Sequence, residues 1–356
     1  MKIKSIPDLS GLRVEITSLS PSTYYYVKDG CSFPSVINIA CRKGLFDSSV
    51  LLPNSPASIR GTIIHKLLEE RVKGLIQTEE QYELRWRDLT RQYEEETKLK
   101  YPSLRNFIVN DLDKMYESCD SAMEITPVTN YRGDTNEVRI RTVEVPVSIP
   151  GVTRGIVDRI KFHNNEIEII DYKSGEVMED GAIKESYVYQ LNLYALCCEQ
   201  TFEYRVKKLT LIQTSDNKEF DVPLERDKFI GSLADIKSII EKINTHVQEG
   251  QMPALQVLSE RQCSYCRCRH FCNKYLNSEI KSEYIVDGYV TDSSNPHFIS
   301  LRDYNGNSFS VSKLSDMNIE DATSLVNRHL VFVNVSSRID NVYKRTDKTL
   351  IFELPT

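Results

Sequence analysis

"GIVDRIKFHNNEIEIIDYKSG", residues 155–175, sets one apolar alternation on either side of Asn164-Asn165. Asn tolerates the positive φ that two-residue hairpin turns require, so this stretch predicts a hairpin. With that turn, His163 faces Glu166, Phe162 faces Ile167, Ile160 faces Ile169 and Asp158 faces Asp171. Strand side chains alternate between faces, so Asp158, Ile160 and Phe162 share a face with Ile167, Ile169, Asp171 and Lys173. Opposed Cβ atoms lie roughly 5 Å apart, and like charges placed so destabilise a sheet. Two ionised carboxylates among isoleucines therefore call for a strong cation. A divalent ion suited to hard oxygen ligands, Mg²⁺ or Mn²⁺, supplies one. Lys173 adds an ammonium diagonal to Asp158. The competing reading is a solvated face with scattered charges, and a one-residue slip would send one Asp to the other side. Carboxylates are rarely buried unpaired, which favours the metal reading.

Working outward, "VRIRTVEVPVSI" (138–149) and "KKLTLIQT" (207–214) read as further strands, and "YVYQLNLYALCC" (187–198) as a helix between strands. Residues 20–46 read as one or two short helices opened by Ser20 with Pro21 just inside. In "GTIIHKLLEERVKGL" (61–75), Ile64, Leu67, Leu68 and Val72 mark one helix face, with His65 and Glu69 one turn apart. A highly charged, helix-spaced insertion follows, over about residues 76–130. Residues 227–250 form a long amphipathic helix that Gly250 ends. Mixed strands with helices on both sides predict an α/β core spanning residues 1–279. From residue 280 the texture changes to three short strands, a helix and two strands. That order predicts a small β-barrel over 280–356, OB-like in its succession of elements. Its aromatic residues read as core rather than as stacking platforms.

The chain of 356 residues has 40% hydrophobic and 27% charged residues, a soluble globular composition. No apolar run approaches a membrane span, and the first residues lack the apolar region of a signal peptide. A cytoplasmic location is the expectation. The formal charge of −6 argues against a broad non-specific nucleic-acid surface but not against a local basic groove. There is no phosphate-binding GxxxxGK[ST] loop, so the chain carries no nucleotide motor of that type.

Nine cysteines in such a chain point to metal or redox chemistry. "CSYCRCRHFC" places Cys263, Cys266 and Cys272 in a C-x2-C-x5-C spacing, with Cys268 as an extra. A fourth ligand must come from elsewhere, and Cys31 and Cys41 are the candidates. Zinc and a [4Fe–4S] cluster both accept four thiolates, and spacing alone does not separate them. Cys119, Cys197 and Cys198 lie within apparent helices and read as small core residues.

Taken together these residues resemble a known family. "GIVD", a thirteen-residue step from Asp158 to Asp171, and "DYK" look like motifs II and III of the PD-(D/E)XK nucleases. "GTIIH" before them and "QLNLY" after them are similar to the His and Q-x3-Y motifs of the RecB-like branch. The cysteine pattern resembles its iron–sulfur subgroup, which includes AddB-type repair nucleases and CRISPR-associated RecB-like exonucleases. The resemblance covers about residues 18–275 and implies a restriction-endonuclease-like core. It implies that His65, Asp158, Asp171 and the backbone carbonyl of Tyr172 ligate Mg²⁺ or Mn²⁺. Lys173 would activate the attacking water and stabilise the phosphate, supported by Gln190 and Tyr194. Cys263, Cys266 and Cys272 would bind a [4Fe–4S] cluster, with Cys31 favoured over Cys41 as the fourth ligand.

Two functions follow from this reading. The first is a metal-dependent DNase, an exonuclease on single-stranded DNA or frayed ends in repair, recombination or phage defence. With no motor of its own, the chain would work with a helicase or other protein in trans. The second is a non-catalytic iron–sulfur subunit that holds DNA or a partner while another chain cuts. The intact Asp-Asp-Lys set favours the first.

Overall fold

The structure is a computed structural model; it describes residues 3–104, 107–108, 142–163, 166–295, 297–312, 325–336 and 341–355. Most of the expected insertion beyond Tyr101, with Cys119, lies outside the described residues. So does most of the helix expected between the third and fourth strands of the C-terminal region.

Pro21 and Pro34 sit in the first turns of two short helices, α1 (Pro21–Lys28) and α2 (Phe33–Arg42), where a missing N–H is harmless. α3 (Pro56–Val72) begins within the Pro- and Ser-bearing stretch "LLPNSPASIRG" (51–61). Ser55 caps it by accepting from the Ser58 amide. α4 (Glu79–Lys100) opens on a capping box between Thr78 and Gln81.

The central sheet has the order β2-β3-β4-β7-β8, built from β2 (Val143–Ile149), β3 (Thr153–His163), β4 (Glu166–Lys173), β7 (Arg205–Gln213) and β8 (Lys218–Asp221). β3 and β4 pair antiparallel with His163 opposite Glu166, Phe162 opposite Ile167 and Ile160 opposite Ile169. This is the register an Asn164-Asn165 turn predicts. The ladder stops at Arg159 opposite Ile170, so the strands part where Asp158 and Asp171 begin. β4 and β7 are parallel neighbours, as a helical crossover requires. That crossover is α5 (Glu185–Phe202). A two-stranded ribbon, β5 (Met178–Glu179) and β6 (Ala182–Ile183), precedes it.

Both faces of β4 are covered. On one, Ile170 and Tyr172 pack with Ile212 against Ile63, Ile64, Leu67 and Leu68 of α3. On the other, Ile167 and Ile169 pack with Leu209 and Leu211 against Leu191, Ala195, Cys197 and Cys198 of α5. Fully burying an aliphatic side chain of this size contributes about 1.5–3 kcal/mol, so a register slip in β4 would exchange two committed faces at once. The alternation also fixes direction. Asp171 and Lys173 share the α5 side with Ile169.

A third core lies between α1, α2, α6 (Arg226–Gln248), the cysteine-bearing segment and one face of the C-terminal sheet. Phe33, Ile37, Phe229, Ile236, Phe271, Cys272, Val331 and Phe352 meet there.

The C-terminal strands correct one expectation. They form a seven-stranded sheet in the order β1-β14-β12-β9-β10-β11-β13 that is open, not a closed barrel. The strands are β9 (Ile285–Asp292), β10 (Phe298–Arg302), β11 (Ser308–Ser312), β12 (His329–Val335), β13 (Val342–Tyr343) and β14 (Arg345–Glu353). The cause is a strand from the other end of the chain. β1 (Lys4–Ser5) lies parallel on β14 at Phe352 and Glu353 and occupies the edge that closure would use. At the opposite edge β13 pairs with β11. The first strand therefore belongs to this sheet and not to the central one. No helix among the described residues is long and apolar enough to cross a membrane.

Candidate active site

Two glycines bring the site's elements together. At Gly61 of α3, an added Cβ would lie 2.7 Å from Ser174 Oγ. The helix thus touches the chain leaving β4, and His65, one turn later on the same face, comes to its end. At Gly155, an added Cβ would lie 2.7 Å from the Tyr194 ring and 3.1 Å from Pro21, so the start of β3 accepts α5 and α1 at close range. These are the glycines of "GTIIH" and "GIVD".

Where β4 ends and β3 parts from it, His65 Nδ1 stands 3.3 Å from Asp158 Oδ1, and the Tyr172 amide donates to Asp158 Oδ2 at 2.8 Å. Asp171 is buried. Lys173 Nζ lies 2.6 Å from its Oδ2, while Gln190 Nε2 donates to its Oδ1 at 3.1 Å. Lys173 Nζ also donates to Gln190 Oε1 at 3.0 Å. Gln190 therefore spans the acid and the lysine, and fixes both. Tyr194, one turn further along α5, is buried against Gly155. Glu69 lies outside this arrangement and is held by Lys66 and Lys73.

The electrostatics follow from crowding. Burial alone would lower the His65 pKa, but the Asp158 carboxylate outweighs it and raises the imidazole to about 9. Burial likewise works against ionised Asp158, yet His65 and the Tyr172 amide hold its pKa below the usual carboxylate range. Asp171 goes the other way. Burial lifts it to about 6, Lys173 offsetting only part of that and Asp158 adding to it. Burial opposes the charge on Lys173, and Asp171 more than restores it. Without a metal, then, the site is an imidazolium–carboxylate pair beside an ammonium–carboxylate pair.

One member was missed in the sequence. Glu144 of β2 offers a carboxylate oxygen such that it, one ligand atom of His65 and one of Asp158 all lie within 4.8 Å of one another. Its backbone is left-handed at φ 50°, and it drops out of the ladder between Val143–Arg159 and Val145–Val157. A non-glycine residue so placed within a strand is a strained position of the kind that gathers at functional sites. Read alone, "VEVPV" makes Glu144 an ordinary solvent-face residue. The missed signal is "IPGVT" (149–153): read as a turn, its Pro-Gly sets Glu144 opposite Asp158.

These donors fit a divalent cation. One imidazole nitrogen and two carboxylates converge, and the buried Oδ2 of Asp171 has no aligned hydrogen bond despite its close lysine. Three anionic side chains, with Asp171 counted, crowd a single strand end, which a 2+ charge would relieve.

The comparison with protein families decides what such a site belongs to. A model of the PD-(D/E)XK nuclease superfamily matches residues 46–273. The chain belongs to this superfamily. A comparison with curated proteins gives no match. As a PD-(D/E)XK member the chain is a metal-dependent nuclease that hydrolyses phosphodiester bonds, and its mixed sheet flanked by helices is the restriction-endonuclease-like core. The matched span holds His65, Glu144, Asp158, Asp171, Lys173, Gln190 and Tyr194, together with Cys263, Cys266 and Cys272, but not Cys31.

The cysteines gather elsewhere, around α7 (Glu260–Tyr265) and the turns after it. Cys31, Cys263, Cys266 and Cys272 lie close enough for their charges to act on one another. Cys41 instead neighbours Arg267 and acts on buried Cys268. A hydrogen bond with Cys268 pulls the Cys266 thiol down to about 7, and burial pushes Cys272 up to about 11. The amides of Ser259 and Cys268 point at Cys263 Sγ and Cys266 Sγ, at 3.5 and 3.4 Å.

Two outcomes follow for the metal centre. Glu144→Gln keeps the shape of the side chain but removes a charge, so Mn²⁺ affinity is expected to fall about tenfold or more, measured calorimetrically. Metal binding must also displace the proton that His65 holds up to about pH 9. The imidazolium pair stabilises the metal-free fold fully below pH 6.5 and ceases to do so as pH rises through about 9. Apparent Mn²⁺ affinity should accordingly rise about tenfold per pH unit above about pH 6, once Asp171 has titrated through its own pKa, and level off near pH 9. A flat profile between pH 6.5 and 8.5 would remove His65 from the ligand set.

Proposed function

We propose that this nuclease belongs to the RecB-like branch and acts on DNA as an exonuclease at single-stranded or frayed ends, its fold clasped by a [4Fe–4S] cluster. The observation that carries the reading is the convergence, at one strand end, of His65, Asp158 and Glu144 beside the Asp171–Lys173–Gln190 triangle. The cluster assignment rests on the gathering of Cys31 with Cys263, Cys266 and Cys272.

His65, Glu144, Asp158, Asp171 and the carbonyl of Tyr172 would hold Mg²⁺ or Mn²⁺. When bound, the ion would polarise a phosphoryl oxygen and lower the pKa of a bound water. The chain's own residues do the rest. The Tyr172 amide fixes the Asp158 carboxylate, leaving its other oxygen toward His65. Lys173 brings an ammonium to the charge that develops on the phosphate, in a recess where such stabilisation is strong. Gln190 holds that ammonium in line, and Tyr194, one turn on along α5, packs against Gly155. Burial and the two carboxylates raise the Tyr194 pKa, so it stays a phenol and adds no further anion.

Cys31, Cys263, Cys266 and Cys272 make up the four-cysteine set that a [4Fe–4S] cluster takes. A cluster also suits the span, since Cys31 and Cys263 are about 230 residues apart in the chain and a clasp gains most on a long loop. A helicase or other protein in trans would present the strand. Residues 1–279 would form the nuclease unit and 280–356 an accessory one, with Lys4–Ser5 stitched into the latter.

The substrate reading is tested with end-labelled oligonucleotides, single-stranded, blunt and frayed. Mononucleotide or short products released from single-stranded ends are expected. Internal cuts in a circular single strand at the rate of the linear one would set the exonuclease reading aside.

A further inference from the structure

Tyr187 occupies the first turn of α5, on the stripe that continues through Gln190 and Tyr194, three and seven residues on. Lys173 Nζ lies 4.6 Å from the centre of its ring, within the roughly 6 Å over which a ring face attracts a cation. The same ammonium touches Asp171 Oδ2 at 2.6 Å and Gln190 Oε1 at 3.0 Å. Three contacts therefore define where it sits: one charged, one polar, one aromatic. Lys184 approaches the same ring at 5.7 Å, from the outside of the helix start.

The charged contact is the one the reaction draws away. Once Asp171 gives its charge to a divalent ion, Lys173 keeps only the Gln190 oxygen and the ring to hold it against solvent. We infer that Tyr187 is a positioning residue, whose ring face keeps the Lys173 ammonium directed at the phosphate when Asp171 is committed to the metal. This rests on the nuclease reading and adds a residue to it. The role needs the ring and not the hydroxyl. Phe preserves it and Leu, apolar but with no ring quadrupole, does not.

The test compares wild type, Tyr187→Leu, Tyr187→Phe and Lys173→Met in the full chain, with cluster content and melting temperature matched. Two readouts are taken: kcat and KM for a single-stranded oligonucleotide with Mn²⁺, and the Kd of a fluorescein-labelled strand in EDTA. Tyr187→Leu is expected to lose roughly five- to thirtyfold in kcat, with KM and Kd changed less than about twofold. Tyr187→Phe is expected to stay within about twofold of wild type in all three. Equal losses in Leu and Phe would assign the hydroxyl and overturn the inference. A rise in Kd and KM at unchanged kcat would make the ring a stacking surface for a base, and would overturn it equally. Tyr187→Leu cutting like wild type overturns it outright. A wild type that does not cut, or cuts no faster than Lys173→Met, overturns the nuclease reading and this inference together.

Discussion

Asp171→Asn and Lys173→Met are each expected to reduce DNA cleavage by about a thousandfold while leaving the protein folded. The loss follows from roles exercised as the phosphate gains charge, where removing one fixed donor costs on the order of 10²–10³ in rate. The survival of the fold follows from the same burial that makes the site reactive. Asp171 is 2% exposed and carries a pKa raised to about 6, so the fold already strains against its charge. Asn keeps the side-chain volume and can still meet Gln190, and it discards a buried anion. Its melting temperature should equal or exceed that of wild type, as is common where a site is kept at the expense of stability. Lys173→Met leaves Asp171 without its cation, which is harmless only because Asp171 can then take up a proton. Circular-dichroism melts beside the cleavage assay check both halves. A variant that loses activity and cooperative melting together would make the residue structural rather than catalytic.

The second large effect is expected at the clasp. Cys31→Ser should yield protein without the brown colour and visible absorbance of an iron–sulfur cluster, melting roughly 10 °C or more below wild type. Cluster binding energy is folding energy when the unfolded chain holds no site, and several kcal/mol are lost with it. Cys31 packs against the core beside Leu255, its Sγ 3.4 Å from the Leu255 carbonyl, so Ser alone is a modest change of volume and the drop reports the ligand. Cys41→Ser is the control. Its thiol faces Arg267 and Cys268, and colour and melting should stay near wild type. The reverse pattern would exchange the two residues. Colourless wild-type protein containing stoichiometric zinc, purified without oxygen, would replace the cluster by zinc.

How far the sequence reaches is clearest at the hairpin. Alternation and one Asn-Asn turn were enough for the β3–β4 register, because every pair is local and each slip would expose isoleucines. His65, Gln190 and Tyr194 came from motif resemblance alone, since each sits on a helix whose periodicity fits a plain packing role. Glu144 escaped because its chemistry depends on a backbone excursion at φ 50°, which nothing in "VEVPV" announces. Resemblance alone favoured Cys31 over Cys41 in the sequence; the fold adds that Cys31 lies near Cys263, Cys266 and Cys272 while Cys41 neighbours Arg267. The C-terminal barrel failed for a topological reason. Six of the seven strands are consecutive in the chain's last quarter, but the edge is taken by Lys4–Ser5, and a two-residue strand from the far terminus carries no periodicity to read.

This strand end is expected to be a working metal-dependent nuclease centre. The most direct measurement is cleavage of 5′-labelled single-stranded DNA by anaerobically purified, cluster-loaded protein in Mn²⁺, in Mg²⁺ and in EDTA, beside Asp158→Asn. The expectation is cutting with metal, none with chelator, and a loss of about a thousandfold in the variant. Cutting that survives EDTA or Asp158→Asn, or no cutting by wild type with either metal, would contradict it.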